Sequence, residues 1–572
     1  MDLCNDLKDI VGEVLSQVPR LLTLQDRDPD SPMRGCMHPA YWRDKSSDVA
    51  DMRRQEAALA LAWAWRYPFP DNRWQGDREV LHGALRAIGF WTRQQHTDGT
   101  FDEWYRNEHG YATTAFSSYA MALATEALGD ELKGDLGETV RRALCRCGDW
   151  LSSHDDWFKT NHQAVGVAAL GAIGRVTGND EYLDAASRNA QRIVDRMHAE
   201  GWSKEISGLD LGYTFLLTEY LAMHAVLTGE TRFLPEAQRA YRFAAEFLHP
   251  DLTTGAEYGI CSNPYFSRVA TVALAAHDGV AAAALAWMDG EVDGPRNVAS
   301  TLKDDLRLSR YAYQPLLAAL LQSGTLERRD LDNNVRTAAA APLLLQRERD
   351  TQWFEGAKLL AVARPAYVAW VAPCHGGLVR VAFRDGAGFM DPVVDRGYAL
   401  RAGRATYRNA RYALDVEASW DGDTLSCDAP IVKTGFVMPP YWARVGLRAA
   451  TSLPAGHRWA RWAIDKWRAK KGTALNQSAA GIAAGKSPWK LTRRVRFHDD
   501  HIQIEDTLVF DRVAPQHRFW LVLDGPVRLE DGTRPDLDQR IAASAYGVEP
   551  KAGGMTISKT LRAGDGEAVL RP

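Results

Sequence analysis

The chain is predicted to be a multidomain α+β protein: an N-terminal (α/α)6 toroid of helical hairpins followed by a C-terminal antiparallel β-sandwich. Three observations predict it. A polar loop recurs about every 50 residues, helices of two kinds alternate between those loops, and short β-rich segments take over near Gln346.

At 572 residues the chain exceeds one ordinary core, since domains typically hold about 100 to 200 residues. The loops begin near Gly35, Gly99, Ser153, Gly201, Gly255 and Asp305, at separations of 64, 54, 48, 54 and 50 residues. That spacing is the size of a two-helix unit with its loops, and six such units suit closure into a ring. The first loop, GCMHPAYWRDK from Gly35 to Lys45, precedes a helix predicted over Val49 to Trp65.

A closed ring needs inner helices buried on nearly all sides and outer helices with one solvated face. The segment Ala164 to Val176, AVGVAALGAIGRV, is small and apolar all round. It is predicted to be inner, with Gly166, Gly171 and Gly174 permitting close helix approach. By contrast, Tyr182, Ala186, Ala190, Ile193 and Met197 step by three or four, with Asp184, Arg188, Arg192 and Asp195 between them, the pattern of an outer helix. In this arrangement all six loops open at one end of the ring, and their polar residues converge on one cavity. The toroid takes residues 1–345 and the sandwich 346–572.

Strands are predicted at Tyr367 to Val371, Leu378 to Phe383, Ala410 to Ala418, Lys490 to Phe497, His501 to Phe510 and His517 to Leu523. His501 to Asp506 alternates with period two, as a half-buried antiparallel strand does. The stretch Trp459 to Lys471 (WARWAIDKWRAKK) interrupts them with an amphipathic helix suited to cover an edge or a cleft. Ala479 to Gly485 is of low complexity.

Composition narrows the function. A formal charge of -4, from 69 basic and 73 acidic residues, provides no global field for nucleic acid or anionic membranes, so a polyanion would need a local cationic cleft. No stretch is long and apolar enough for a membrane span. Met1 to Arg20 lacks the apolar core of a signal peptide, which points to the cytoplasm; an export signal removed beforehand would make the protein periplasmic or secreted instead. Seven irregularly spaced cysteines argue against a disulfide framework. Cys145-x-Cys147 lacks a second pair and is predicted to be two buried thiols rather than zinc ligands. No metal motif is strong enough to name an ion, and no cofactor is expected. Nineteen Trp and nineteen Tyr supply rings for core packing or for stacking on sugars.

The candidate chemistry centres on Trp157 to Gln163, WFKTNHQ. On local grounds Asn161 caps the helix that follows and His162 occupies its first turn. A catalytic reading adds three points: the pair lies at the converging end, the preceding loop is aromatic and cationic, and Tyr213 recurs at the corresponding place one unit later. Further cavity candidates are His38, Tyr41 and Trp42; Asn107, Glu108 and His109; and Glu257, Tyr258, Asn263 and Tyr265. Each is equally a residue that merely caps or solvates a loop.

The motifs TNHQ (Thr160 to Gln163), GWSKEISGLDLGY (Gly201 to Tyr213) and RRVRFHDDHIQIED (Arg493 to Asp506), within an α-ring followed by a sandwich, resemble the heparinase II/III-like family and the related alginate and oligoalginate lyases. The resemblance implies β-elimination at a hexuronic acid: the C6 carboxylate is neutralised, the C5 proton removed and the C4–oxygen bond broken. The developing enolate needs neutral or positive donors. Asn161 is the candidate, helped by His162 or by Arg268, Arg307 or Arg310. Ordinary pKa values of about 10 for tyrosine and about 6.5 for histidine favour His162 as base and Tyr213 as acid; a syn elimination run by Tyr213 alone is the alternative. Alginate-type members carry an arginine shortly before the tyrosine, where this chain has Lys204 and Glu205. Such enzymes often add a sandwich histidine, for which His375 in Pro373 to Gly377 is the candidate, or else a turn residue.

The expected partner is therefore an acidic polysaccharide or oligosaccharide, with no nucleic acid and no cofactor. Three rival functions share the architecture. A uronosyl C5-epimerase would return the proton to the opposite face. A glycoside hydrolase would draw two carboxylates from Glu108, Glu205, Asp210 and Glu257. A non-catalytic polysaccharide-binding protein would use the same cavity without turnover.

Overall fold

The computed structural model describes residues 1–571 except 207, 262, 291–303, 327–338, 387, 410–411, 435–440, 454–455, 457, 460–461, 463–488, 510–517, 537–538, 543–553 and 565–566. The N-terminal part forms two concentric rings of helices. The outer helices are α1 (Asn5–Ser16), α3 (Arg78–Arg93), α5 (Gly134–Ser153), α7 (Asp180–Val194), α9 (Leu234–Ala245) and α11 (Gly279–Asp289). Alternating with them along the chain are the inner helices α2 (Ala57–Arg66), α4 (Tyr111–Leu128), α6 (Thr160–Thr177), α8 (Leu211–Thr228), α10 (Arg268–Leu274) and α12 (Tyr313–Gln322).

Each inner helix packs on the next, and α12 closes on α2. The ring is completed by the N-terminus: α1 packs against α12 and α11, so the sixth inner helix takes its outer partner from the start of the chain.

The two helix types follow from their residues. In α6 every residue from Gln163 to Gly174 is buried. A Cβ at Gly166 would collide with the Tyr111 hydroxyl, so the small residue sets the α4–α6 approach. In α7 the predicted stripe of Tyr182, Ala186, Ala190 and Ile193 is the buried face; Met197 falls beyond the helix end. The helix predicted from Val49 starts later. Met52–Glu56 is a 3-10 turn, because the Asp51 carboxylate accepts the Arg53 N–H and tightens the entry, and α2 begins at Ala57.

Two sheets make the sandwich. One orders Asp350–Phe354, Leu359–Arg364, Tyr367–Ala372, Leu378–Asp385, Val393–Ala402, Arg518–Asp524 and Arg540–Ala542. The other orders Val527–Leu529, Ala568–Arg571, Met555–Ala563, His501–Val509, Lys490–Phe497, Thr424–Pro430 and Ala418–Trp420. Pairing is antiparallel except between Val527–Leu529 and Ala568–Arg571. Strand Leu359–Arg364 is buried throughout, which marks a strand covered on both faces. Leu359, Ala361 and Ala363 join the toroid core while Leu360 and Val362 join the sandwich core.

Polar contacts reinforce this junction. Arg347 pairs with Glu246 at 2.8 Å, Trp370 Nε1 donates to the Glu246 carbonyl, and the Glu200 carboxylate accepts the N–H groups of Gly356 and Ala357.

Of the strand predicted over Ala410 to Ala418, Ala410 and Arg411 lie outside the described residues, and among the rest a strand begins only at Ala418. Residues 412–417 leave the sheet because Tyr412 extends into the toroid, where its hydroxyl accepts the Leu209 N–H at 2.7 Å. Phe510, His517, Ala479 to Gly485 and most of Trp459 to Lys471 lie outside the described residues.

A neutral ion tetrad sits between the sheets. Arg493 Nε and Nη2 donate to the two oxygens of Asp506 at 2.7 and 2.8 Å, and Nη2 also reaches Asp395 at 3.2 Å. Lys559 Nζ bridges Asp395 and Asp506 at 2.6 and 2.7 Å. All four side chains are buried.

Among the described residues no helix is long and apolar enough to cross a membrane, all seven cysteines are free, and no group of three His, Cys, Asp or Glu could hold a metal ion.

Candidate active site

The N-termini of the inner helices open at one end of the ring, and two neighbouring loops there are joined by backbone pairing. Lys159 bridges Glu205, and the Ile206 N–H donates to the Phe158 carbonyl at 2.8 Å. Ile206 has φ 61°, a conformation that a β-branched residue adopts only under surrounding constraint. The constraint here is the junction of hairpins three and four.

That junction holds Asn161. Its own side chain is not the helix cap; Lys159 occupies that position without a side-chain bond. The cap comes from the next hairpin: Glu205 Oε1 accepts the Asn161 N–H at 2.8 Å and Oε2 accepts Asn161 Nδ2 at 2.7 Å. A carboxylate at a helix N-terminus suits the macrodipole. Burial nevertheless pushes the Glu205 carboxyl up to about 8, against the pull of the Asn161 bonds and Lys159. An amide nitrogen carries two hydrogens, so one Asn161 N–H is not used by Glu205.

Replacing Glu205 by Ala strands two buried donors and is expected to lower stability by about 2–3 kcal/mol, read as a fall in melting temperature. Glu205→Gln restores both bonds once the Asn161 amide rotates, and keeps the melting temperature near wild type. The sign of the pH effect follows. A carboxyl raised on folding contributes stability that is complete below its ordinary value of about 4.3 and is lost as pH rises through about 8. The Gln variant lacks this decline.

His162 stands one residue on. Its Nδ1 is 2.8 Å from Asp156 Oδ2, which orients the ring and assigns Nε2 as the acceptor. Burial lowers its pKa, Asp156 opposes this, and the charges of Lys159 and Arg53 lower it further. The Lys159 ammonium also lies 5.6 Å from the centroid of the Tyr213 ring. One cation therefore acts on both residues.

Tyr213 opens α8, whose cap is Asp210: Oδ1 accepts the Tyr213 N–H at 3.1 Å, while Oδ2 accepts the Cys261 N–H at 3.0 Å. Burial, with Cys261, Asp210, Tyr311 and Glu205 nearby, holds the Tyr213 hydroxyl far above the ordinary tyrosine range. Asp210 itself is pushed up to about 6 by burial.

A second group lies close by: the charge of Arg53 acts on His162, and Tyr311 on Tyr213. Arg310 Nη2 is held between Asp51 Oδ2 at 2.6 Å and Glu103 Oε1 at 2.8 Å. Arg53 pairs with Glu56 at 2.8 Å, covers the Phe116 ring at 3.6 Å and lies 5.3 Å from the Tyr311 ring. Arg53 Nη2 and Arg310 Nε are buried and have no partner among the described residues. Buried guanidinium N–H groups without a partner carry a desolvation penalty.

The remaining candidates are engaged elsewhere. His38 is buried, accepts the Asp51 N–H, and is lowered to about 4 mainly by burial. Trp42 Nε1 donates to the Leu24 carbonyl, and Tyr41 packs half-buried beside the core. Asn107 reaches the Thr451 carbonyl at 2.8 Å. Glu108 caps the Glu103 and Trp104 N–H groups, and His109 stacks on His96 beside Asp98.

Further round the ring, Glu257 pairs with Arg380 of the sandwich, Tyr258 bonds His249, and Tyr265 donates to Glu219. Arg268 grips both oxygens of Asp6 in α1, and Arg307 pairs with Asp304 at the surface. His375 lies against Tyr412, edge to face at 6.4 Å, and its Nδ1 has no partner among the described residues. Its turn is fastened from the tetrad side, since Arg493 Nη1 donates to the Gly377 carbonyl and Asn409 Nδ2 to that of Gly376.

Sequence reasoning missed Asp156, Lys159, Arg53, Glu103 and Tyr311. Arg53 and Arg54 gave a signal: two cations at the N-terminal entry of an apolar helix oppose its macrodipole and so call for a local reason.

The comparisons with known proteins come down to fold and one segment. No curated protein matches the chain. Among solved structures it is similar to a Paenibacillus xanthan lyase (TM-score 0.53, 10% identity, covering 90% of this chain and 46% of that one). It is also similar to the Streptomyces coelicolor A3 chondroitin AC lyase in complex with chondroitin sulphate (TM-score 0.52, 11% identity, 90% and 68%). The chain thus spans under half the length of the first. The anticipated likeness to heparinase II/III-like enzymes is met only at the broader level of lyases. The chain has the toroid-and-sandwich fold of these two lyases, and its residues 66–263 match the family model of the ulvan lyase N-terminal domain.

Proposed function

We propose that this protein is a polysaccharide lyase that cleaves a uronic-acid-containing polysaccharide by β-elimination. The observation that carries the proposal is the oriented Asp156–His162 pair sharing Lys159 with the protonated Tyr213 at the mouth of a lyase-like toroid.

His162 Nε2 removes the C5 proton. The electron pair left at C5 forms the C4–C5 double bond as the C4–oxygen bond breaks, and the Tyr213 hydroxyl delivers its proton to the leaving oxygen. A tyrosine held far above its ordinary pKa stays protonated at neutral pH and suits the acid role; a histidine lowered by burial stays neutral and suits the base role. The free Asn161 N–H, Arg310 and Arg53 stabilise the C6 carboxylate as charge moves onto it. They stand in for the arginine that alginate-type enzymes place before the tyrosine. His375 completes the site from the sandwich.

The test is incubation with ulvan, xanthan and chondroitin sulfate in deuterated buffer, following ultraviolet absorbance and deuterium uptake at C5. An absorbing unsaturated product is expected. Uptake without absorbance would indicate an epimerase, new reducing ends without absorbance a hydrolase, and binding without any product a non-catalytic protein; each would refute the lyase reading.

The pH profile assigns the base. If His162 acts as base, kcat/KM falls on the acid side below the ordinary histidine value of about 6.5. Asp156 favours the charged imidazolium, so Asp156→Asn lowers the histidine pKa further. The acid limb is expected to move to lower pH while kcat drops; an unmoved limb would count against His162.

A further inference from the structure

Helix Tyr441–Thr451 (YWARVGLRAAT), which leaves the sandwich between two strands, carries rings that no core among the described residues covers. Tyr441 is 75% and Trp442 74% exposed, and Trp459 beyond the helix is 71% exposed. Large rings left in water at this density mark a binding surface rather than incidental exposure. Trp459 and Trp462 pack edge to face at 6.1 Å, so they support one another outside the core.

The helix is anchored at the toroid mouth. Arg448 Nη1 donates to the Trp104 carbonyl at 2.8 Å and pairs with Asp48 at 3.3 Å, and the Thr451 carbonyl accepts Asn107 Nδ2 at 2.8 Å. Trp104 is itself 64% exposed, and its ring lies 6.0 Å from the Arg310 guanidinium inside the site. The exposed rings therefore continue outward from the candidate active site. The helix contains Arg444 and Arg448 and no acidic residue.

Resting on the lyase reading above, we infer that this arm is an extended binding surface for the acidic polysaccharide, holding sugar units several residues away from the bond that breaks. Pyranose rings present apolar C–H faces to Tyr441, Trp442 and Trp104, and Arg444 meets the polymer's charge. The occupant is a polyanionic sugar chain and not a second protein, because the arm combines exposed rings with an exposed cation, Arg444, that has no ion pair among the described residues, and leads into the site mouth.

The experiment is affinity electrophoresis of the full chain through gels containing ulvan, xanthan or chondroitin sulfate, comparing wild type, Tyr441→Ala/Trp442→Ala and Arg444→Glu. All three substituted residues are exposed, and melting temperature verifies folding. Wild type is expected to be retarded by at least one polymer. The double variant should bind that polymer about tenfold more weakly, as the loss of two stacked rings implies, and the arginine variant should be weakened with a smaller salt dependence.

Equal retardation of wild type and variants, or no retardation in any of the three gels, overturns the inference. A wild-type dimer that the double variant converts to monomer, with retardation unchanged, assigns the face to a second copy and also overturns it. Failure of the lyase reading looks different: retardation and its loss persist, while no polymer gives an absorbing product.

Discussion

His162→Ala is expected to lower kcat for formation of the unsaturated product by about 10²- to 10⁴-fold, the usual contribution of a positioned general base. The loss has a local cause. Asp156 fixes Nδ1 at 2.8 Å, so Nε2 is the ring nitrogen free to accept a proton, and the low pKa keeps it unprotonated. The same substitution also leaves Asp156 without its partner, so turnover is compared at a temperature where melting curves show both proteins folded.

Tyr213→Phe is expected to lose turnover to a similar degree for a different reason. The leaving oxygen would depart as an alkoxide, with no proton donor. Deuterium separates the two defects: the Tyr213 variant, with its base intact, should still exchange C5 hydrogen with solvent, whereas the His162 variant should not. If both variants kept their activity and Glu205→Gln lost it, elimination would be refuted and a carboxylate-driven hydrolysis supported.

The second large effect is on stability. Asp506→Asn leaves Arg493 and Lys559 facing a single carboxylate, Asp395, in a fully buried site. Removing one partner of a buried ion pair typically costs about 3–5 kcal/mol. For a unit of the sandwich's size that amounts to a fall of roughly 10 °C in its melting transition.

The sign of the acid response is set by the same group. Burial raises the Asp506 carboxyl, but Arg493 and Lys559 outweigh it and hold the pKa far below the ordinary value. Its contribution is therefore present above the ordinary aspartate pKa of about 3.9 and is lost as pH falls toward the folded value. Wild type should lose sandwich stability in that acid range and the Asn variant should not. Replacing the whole tetrad with apolar residues of similar volume is expected to be far less harmful than the single change. Arg493 also holds the Gly377 carbonyl of the turn that carries His375, so on the proposed role of His375 the Asn variant is expected to lose turnover as well.

How much was legible in sequence follows from the range of each signal. The repeat of about 50 residues, the all-apolar run of Ala164 to Val176 and the stripe from Tyr182 to Ile193 depend on neighbours along one helix, so ring, layers and helix types could be read directly. Alternation in His501 to Asp506 identified its strand for the same reason. Ala410 to Ala418 misled because the propensity of its residues says nothing about Tyr412 being drawn out to Leu209, 203 positions earlier.

Side-chain engagement is a different matter. The sequence by itself determined the toroid and the sandwich, because hydrophobic periodicity sets burial locally. Only the tertiary structure decided that Arg268 belongs to Asp6, that Glu205 caps the Asn161 helix, and that Arg53, which acts on His162, and Arg310 each keep a buried N–H group with no partner among the described residues. The partners in those contacts lie 262 and 44 residues apart in the first two cases. A charge near a cavity is free or committed according to whichever group the closed ring brings against it, and ring closure is the one step that no local pattern encodes.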